Sequence, residues 1–350
     1  MVVRDMQAKW WKFNYRVMGY RAIGKGIKKE VGITMDFKEI SLEEAGLSNK
    51  IAEEFLLELE KSGAGMDSVL FLRNGNLCFE KYWEPYNKNK NHRMYSVGKS
   101  FTAIAIGLLV GDGKLKLEDK VCDYFPDKLP EKVHPFIGAM QVRHLLTMST
   151  AHKGTTYKKY QGDWVESFFH VEPDYAPGTI FSYDTSATHV LCALVGRLAG
   201  KDMFQFLRER VLDEIGFTSR EWLRDSAGVI RGGDGLYCTS RDLAAVAQLC
   251  MDGGIYHGKQ LIPADYLKDM LRVQVSTAHK EAYDEQFGYG YQVWGNRGGG
   301  FSFFGLGGQL AVCFPDKKFI LITTTNMAEE RAKDIKYVYE SFYNVVYPNL

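Results

Sequence analysis

Apolar and polar positions fall into two kinds of periodicity along the chain. Residues 67 to 73 (Asp67-Ser68-Val69-Leu70-Phe71-Leu72-Arg73) and 76 to 83 are apolar-rich runs separated by Asn74-Gly75. That dipeptide suits a two-residue hairpin turn because both positions tolerate positive φ, so the pattern predicts two paired strands. From Ser96 the period lengthens, with Phe101, Ile104, Ala105, Leu108 and Leu109 spaced three and four apart until Gly111-Asp112-Gly113 stops the run. Helical spacing continues in Ala187 to Leu198, Met203 to Ile215 and Arg241 to Met251. Strand character returns in Phe287 to Trp294, Gly308 to Phe314 and Lys318 to Thr325, with Pro315-Asp316 as a turn, before an amphipathic helix from about Glu329 to Val346.

Strands contributed by both ends of the chain predict an α+β fold: an antiparallel β-sheet flanked by terminal helices, with an inserted mainly helical lobe. The expected division is an N-terminal helical extension packed on the body over residues 1–60, then one main domain over 61–350. Within that domain the sheet lobe takes about 61–95 and 276–350, and the helical lobe about 96–275. No repeat, low-complexity tract or Pro-rich linker interrupts it.

Composition narrows the class. The 350 residues are 45% hydrophobic and 25% charged, ordinary for a globular protein, and 44 basic against 43 acidic residues leave a net charge of +1. So balanced a chain carries no electrostatic footprint for nucleic acid. Six scattered cysteines (Cys78, Cys122, Cys192, Cys238, Cys250, Cys313) sit mostly among apolar neighbours and read as buried free thiols. There is no Cys-x-x-Cys, His-x-His or His-x-x-x-His, so neither a metal nor any other cofactor is expected. The N-terminus is broken by Lys9, Lys12, Arg16 and Arg21, unlike a secretory signal, and no transmembrane run occurs; the expected location is the cytoplasm. Trp10 through Lys29 mixes aromatic and basic residues. Short hydrophobic stretches and glycines at 19, 24 and 26 favour a helix laid on the protein body over an interfacial membrane helix.

The candidate chemistry lies in Tyr95-Ser96-Val97-Gly98-Lys99-Ser100. On a helix, positions i and i+3 share a face, so the Lys99 amine can reach the Ser96 hydroxyl. A neutral lysine there would accept the serine proton, provided that burial or neighbouring positive charge lowers its pKa. The helix N-terminus adds N–H groups and a dipole that favour negative charge on an attacking oxygen or an oxyanion.

Around that pair, further segments occur in order: Leu108-Leu109-Val110-Gly111-Asp112-Gly113-Lys114-Leu115, Val142-Arg143-His144-Leu145-Leu146-Thr147-Met148-Ser149, Pro177-Gly178-Thr179-Ile180-Phe181-Ser182-Tyr183, Gly233-Asp234-Gly235-Leu236, and the strand pair ending in Pro315-Asp316-Lys317-Lys318. With them the chain resembles the penicillin-recognising serine hydrolases: class C β-lactamases, DD-peptidases and related esterases and amidases. The resemblance spans most of residues 67 to 345 and implies the β-lactamase/transpeptidase-like fold. It implies that Ser96 is the nucleophile, Lys99 its partner, and Tyr183 the tyrosine of the family's Tyr-x-Asn element. It further implies an oxyanion hole made by the backbone N–H groups of Ser96 and Leu306.

Two departures from the family pattern shape the expected substrate. Thr185 replaces the asparagine of Tyr-x-Asn. The third motif, usually Lys-Thr-Gly or His-x-Gly, reads Phe303-Phe304-Gly305, so the cation that grips the carboxylate of penicillins and peptide C-termini is missing. Thr185, Phe303 and Gly305, with Leu306, are the expected substrate-side residues. Tyr289, Tyr291, Phe301, Phe303 and Phe304 suggest an apolar acyl or alcohol group, with at most half of them facing a cleft by strand alternation. The leading expectation is a serine hydrolase that cleaves an ester or small amide through an acyl-serine intermediate, with a small-molecule acyl compound as its substrate. The alternatives are an acyltransferase using the same acyl-enzyme, a true β-lactamase or DD-peptidase, and a catalytically weak ligand-binding or sensor module. Oligomeric state is not legible in the sequence.

Overall fold

Ten short strands appear along the chain in a computed structural model that describes residues 35–327 and 335–350. They are β1 (Met66–Arg73), β2 (Asn76–Tyr82), β3 (His92–Tyr95), β4 (Leu236–Cys238), β5 (Ile255–Tyr256), β6 (Lys259–Gln260), β7 (Trp294–Gly295), β8 (Phe301–Gly305), β9 (Gln309–Phe314) and β10 (Phe319–Thr325). Six form one antiparallel sheet in the order β2-β1-β10-β9-β8-β7. The hairpin turn at Asn74-Gly75 has positive φ at both residues, 51° and 76°, as a tight primed turn requires. The first and last long strands are neighbours, Leu70 opposite Ile322. The N-terminal aromatic and basic segment, including Trp10 and Lys29, lies outside the described residues.

The sheet is buried on both faces, which explains why its strands read as continuous apolar runs. Side chains alternate across it: Leu70, Leu72, Ile320 and Ile322 join the core beneath the helical lobe, while Val69, Phe71, Phe319 and Leu321 face the terminal helices. Those helices are α1 (Lys50–Ser62), which buries Phe55 and Leu59, and the C-terminal segment Ile335–Ser341, which runs into a π-helical turn over Phe342–Val346 that buries Phe342. Burying such side chains is worth about 1.5–3 kcal/mol each, so the second face is a core in its own right.

In the helical lobe, α2 (Gly98–Gly111) is buried from Gly98 through Leu109. A helix apolar all round belongs at a centre. It packs against α3 (Thr185–Ala199), and α4 (Ser240–Met251) bridges toward the sheet. Thr239 caps α4 with its side-chain oxygen on the Asp242 N–H, and the Asp242 carboxylate accepts in return from the Thr239 N–H.

Three expectations need correction. Phe287 to Trp294 is not one strand: only Trp294–Gly295 pairs, and Tyr289 makes isolated bridges. Gly288 (φ 93°) and Gln292 (φ 58°) turn the backbone out of the extended region. Met203 to Ile215 begins as an α-helix to Leu207 and widens into a π-helical turn over Arg208–Leu212. The α2 helix starts at Gly98, with Ser96 and Val97 in the turn before it. The six cysteines are all unpaired, five of them buried. Among the described residues no helix is long and apolar enough to cross a membrane, and no group of His, Cys, Asp and Glu could hold a metal ion.

Candidate active site

A small two-stranded sheet positions Ser96. Strands β3 and β4 pair His92 with Cys238 and Arg93 with Tyr237, and an irregularity between Arg93 and Tyr95 breaks the ladder just before Ser96. Tyr95 takes φ 47°, a left-handed conformation uncommon for a residue with a Cβ, which turns the chain from β3 into α2. Gly98 opens the helix because a Cβ there would clash with the Gly232 carbonyl oxygen. The start of α2 is thereby pressed against the Gly232-Gly233 backbone.

Lys99 points into the gap so formed and is 1% exposed. Its Nζ lies 3.0 Å from Ser96 Oγ and 2.6 Å from the Gly233 carbonyl oxygen. Burial pushes the amine down from 10.5 to about 8, against the opposing pull of Asp234 and Asp184. A neutral amine in this position donates to the carbonyl and keeps its lone pair for the Ser96 hydroxyl. The geometry therefore favours proton transfer from serine to lysine. Gly233 must be glycine because a Cβ there would collide with Thr185 Cγ2 and stand 3.3 Å from Lys99 Nζ.

The Tyr183 hydroxyl is near enough to Ser96 for the serine to influence its titration. Burial raises the phenol's pKa well above 10, and the Ser96 contact partly offsets this. The ring is 5.0 Å from Lys99 Nζ, stacks on Trp294 at 5.8 Å and 20°, and meets Tyr289 edge-on. Phe181 packs against Tyr289 and Trp294 at 5.2 and 5.6 Å. Beside this aromatic wall lies a cleft of about 560 Å3 lined by Phe181, Tyr183, His279, Lys280 and Glu285, with Lys280 and Glu285 paired at 2.9 Å.

The remaining expected residues separate. Thr185 is half-buried at the first turn of α3, packed on Gly233 beside the lysine. Phe303 does not line the cleft: it is fully buried in the core beneath the helical lobe, against Phe301, because β8 turns that face inward. Tyr291 and Phe301 are likewise core, whereas Phe304 is half-buried 5.7 Å from Trp294. Gly305 ends β8, where a Cβ would clash with the Met94 carbonyl oxygen, so this strand end abuts β3 two residues before Ser96. Leu306 sits in the following turn with its side chain 46% exposed; an oxyanion role would need only its backbone N–H.

Sequence reasoning missed Gly233 as the lysine's carbonyl partner, Trp294 as the tyrosine's platform, and Asp184. The Asp184 side chain caps α3 by accepting from the Ser186 N–H at 2.8 Å and is completely buried. A signal for it existed: an acidic residue immediately before an apolar helical run is an N-cap signature.

Both the sequence and the fold have known counterparts. A family model described as beta-lactamase matches residues 58–341. The 6-aminohexanoate-dimer hydrolase of Paenarthrobacter ureafaciens is 24% identical over 271 residues, covering 69% of this chain and 68% of that protein. The solved structure of EstCE1, described as a hydrolase with promiscuous acyltransferase activity, superposes with a TM-score of 0.69 at 15% identity, covering 84% of this chain and 98% of that one. A penicillin-binding protein from Bacillus halodurans gives a TM-score of 0.63 at 18% identity, over 83% and 98% of the two chains. With the family model spanning most of its length and the same fold in these structures, this chain belongs to the beta-lactamase family.

Proposed function

We propose that the protein is a serine hydrolase that cleaves an ester or small amide through an acyl-Ser96 intermediate. The observation that carries this reading is the contact of 3.0 Å between Ser96 Oγ and an amine that burial has brought to about 8. Lys99 takes the serine proton as the oxygen attacks the carbonyl carbon. The tetrahedral oxyanion is held by the N–H groups of Ser96 and Leu306, donors worth about 3 kcal/mol each in acyl transfer. Collapse expels an alcohol or amine, which takes a proton relayed through the Tyr183 hydroxyl. Water, activated by the same pair, then releases the acid and regenerates Ser96.

Two features support a neutral acyl substrate over a penicillin. No cation stands at position 303, and Thr185 offers a hydroxyl and a methyl in place of a carboxamide. The aromatic wall of Phe181, Tyr183 and Trp294 suits an apolar acyl or alcohol group. Hydrolysis of a 6-aminohexanoate dimer, named for the Paenarthrobacter relative, and acyl transfer, named for EstCE1, lie within the same chemistry. Six unpaired cysteines support a cytoplasmic setting. Fluorophosphonate labelling of the folded protein, lost in Ser96→Ala, tests the nucleophile. Turnover of aryl esters, lactones and amides against a chromogenic cephalosporin tests the substrate: fast cephalosporin cleavage with no esterase activity would overturn the preference.

A further inference from the structure

Behind the tyrosine lies a pair of buried groups that the acyl-transfer scheme does not use. His152 is 1% exposed and Asp184 0%. His152 Nε2 is 2.8 Å from the Val171 carbonyl oxygen, an acceptor only, so this nitrogen carries a hydrogen. In a neutral ring Nδ1 is then a bare lone pair. Asp184 Oδ1 accepts from the Ser186 N–H. The two atoms left over, His152 Nδ1 and Asp184 Oδ2, are both buried without a hydrogen-bond partner and face each other at 3.9 Å. Two lone pairs sealed together repel and are desolvated, whereas a proton on one turns the repulsion into attraction and becomes a hydrogen bond once the pair closes by about 1 Å.

We propose that Asp184 and His152 hold one proton between Oδ2 and Nδ1, with the hydrogen on the carboxyl, and that the neutral carboxyl leaves Lys99 free to act as an unprotonated base. Asp184 is thus a positioning residue for charge: adjacent to Tyr183 in the chain, it touches no reacting atom. The inference rests on the acyl-serine reading for its consequence, but not for the location of the proton.

The charged surroundings agree. Burial lifts the Asp184 carboxyl to about 7, against the Ser186 hydrogen bonds and the Lys99 charge, and it would lower His152 to about 4, so the proton belongs on the acid. A lone pair accepting from the protonated carboxyl raises its pKa further. Lys159 disfavours an imidazolium at His152 and Asp174 favours it; Tyr157 is the other titratable group that feels Asp184. Were Asp184 ionised, its charge would hold the proton on Lys99.

Two measurements on the full-length protein decide the matter. Nitrogen-15 NMR with labelled histidine needs no turnover: it should show His152 as the neutral Nε2–H tautomer at pH 6.5, and an imidazolium there would overturn the proposal. The second is the acid limb of kcat/KM for an aryl ester. Asp184→Asn keeps the cap and mimics the neutral carboxyl, so the limb should stay at its wild-type position; a fall by about one pH unit or more would mean that the native carboxyl is charged. His152→Phe preserves the ring packed on Phe168 but removes the acceptor, so Asp184 should ionise sooner and the limb should move upward. A limb that stays in place in that variant would reduce His152 to a packing role and overturn the coupling.

Discussion

Replacing Lys99 by methionine separates stability from chemistry. The side chain keeps its length and loses the amine. At 1% exposure Lys99 binds protons less tightly in the folded than in the unfolded chain, the fall being from 10.5 to about 8. At ~1.4 kcal/mol for each tenfold, that is a folding penalty of about 3 kcal/mol. The sign follows from proton counts: between pH 8 and 10.5 the unfolded chain holds more protons, so stability rises with pH across that window. The penalty is complete below pH 8 and absent above 10.5. Against it stand the hydrogen bonds to Ser96 Oγ and the Gly233 carbonyl, worth ~1 kcal/mol each. Lys99→Met should therefore be more stable than wild type at pH 6.5 by about 1–2 kcal/mol, less stable by about the same amount near pH 11, and inactive on esters throughout. Urea denaturation at both pH values, with an aryl ester assay, measures all three. A variant destabilised equally at both pH values would refute the reading of Lys99 as a lysine whose charge the fold resists.

Three further substitutions test the surroundings. Gly233→Ala should lower kcat about 100-fold and cost ~1–3 kcal/mol, because the new methyl displaces Thr185 and the lysine; adding Thr185→Ser, which removes the colliding Cγ2, should recover part of both losses in kinetics and denaturation. Tyr183→Phe retains the stack on Trp294 and should keep the wild-type melting temperature while kcat/KM falls by about 10²–10⁴, and full activity would remove the phenol from the proton relay. Phe303→Lys restores the missing cation in sequence but buries it in the core; it should destabilise by several kcal/mol and give no cephalosporin turnover, whereas a stable variant with new β-lactam activity would contradict the inward orientation of this side chain.

What was legible in the sequence was what is local or periodic. Ser96 and Lys99 are three residues apart, so the single turn that leads into α2 is enough to bring them together. The Asn74-Gly75 hairpin and the apolar strands also announced themselves, because turn chemistry and burial on both faces leave direct marks on residue choice. Gly233 did not, since its carbonyl meets Lys99 across 134 residues of chain and glycine says nothing of what its backbone accepts. The β3–β4 ladder is too short for a period to show, and a bulge interrupts it. Phe303 was misread for a different reason: alternation assigns residues to two faces without saying which face is the cleft. His152 was silent because a single histidine among eight acquires meaning only from the carboxyl that the fold sets against it.

The adjacency of β1 and β10 governs when this enzyme can exist. A ribosome delivers Ser96, Lys99 and Tyr183 long before it delivers Phe319–Thr325, yet the sheet core against which the helical lobe packs closes only when that late strand slots beside β1. Until then β1 and β2 form an apolar hairpin with an open edge, a state prone to pairing with other chains. Long-range closure of this kind is slow relative to helix formation. The surroundings of Ser96 are thus completed only after Phe319–Thr325 has been made, and until then folding leaves one unpaired edge to be guarded.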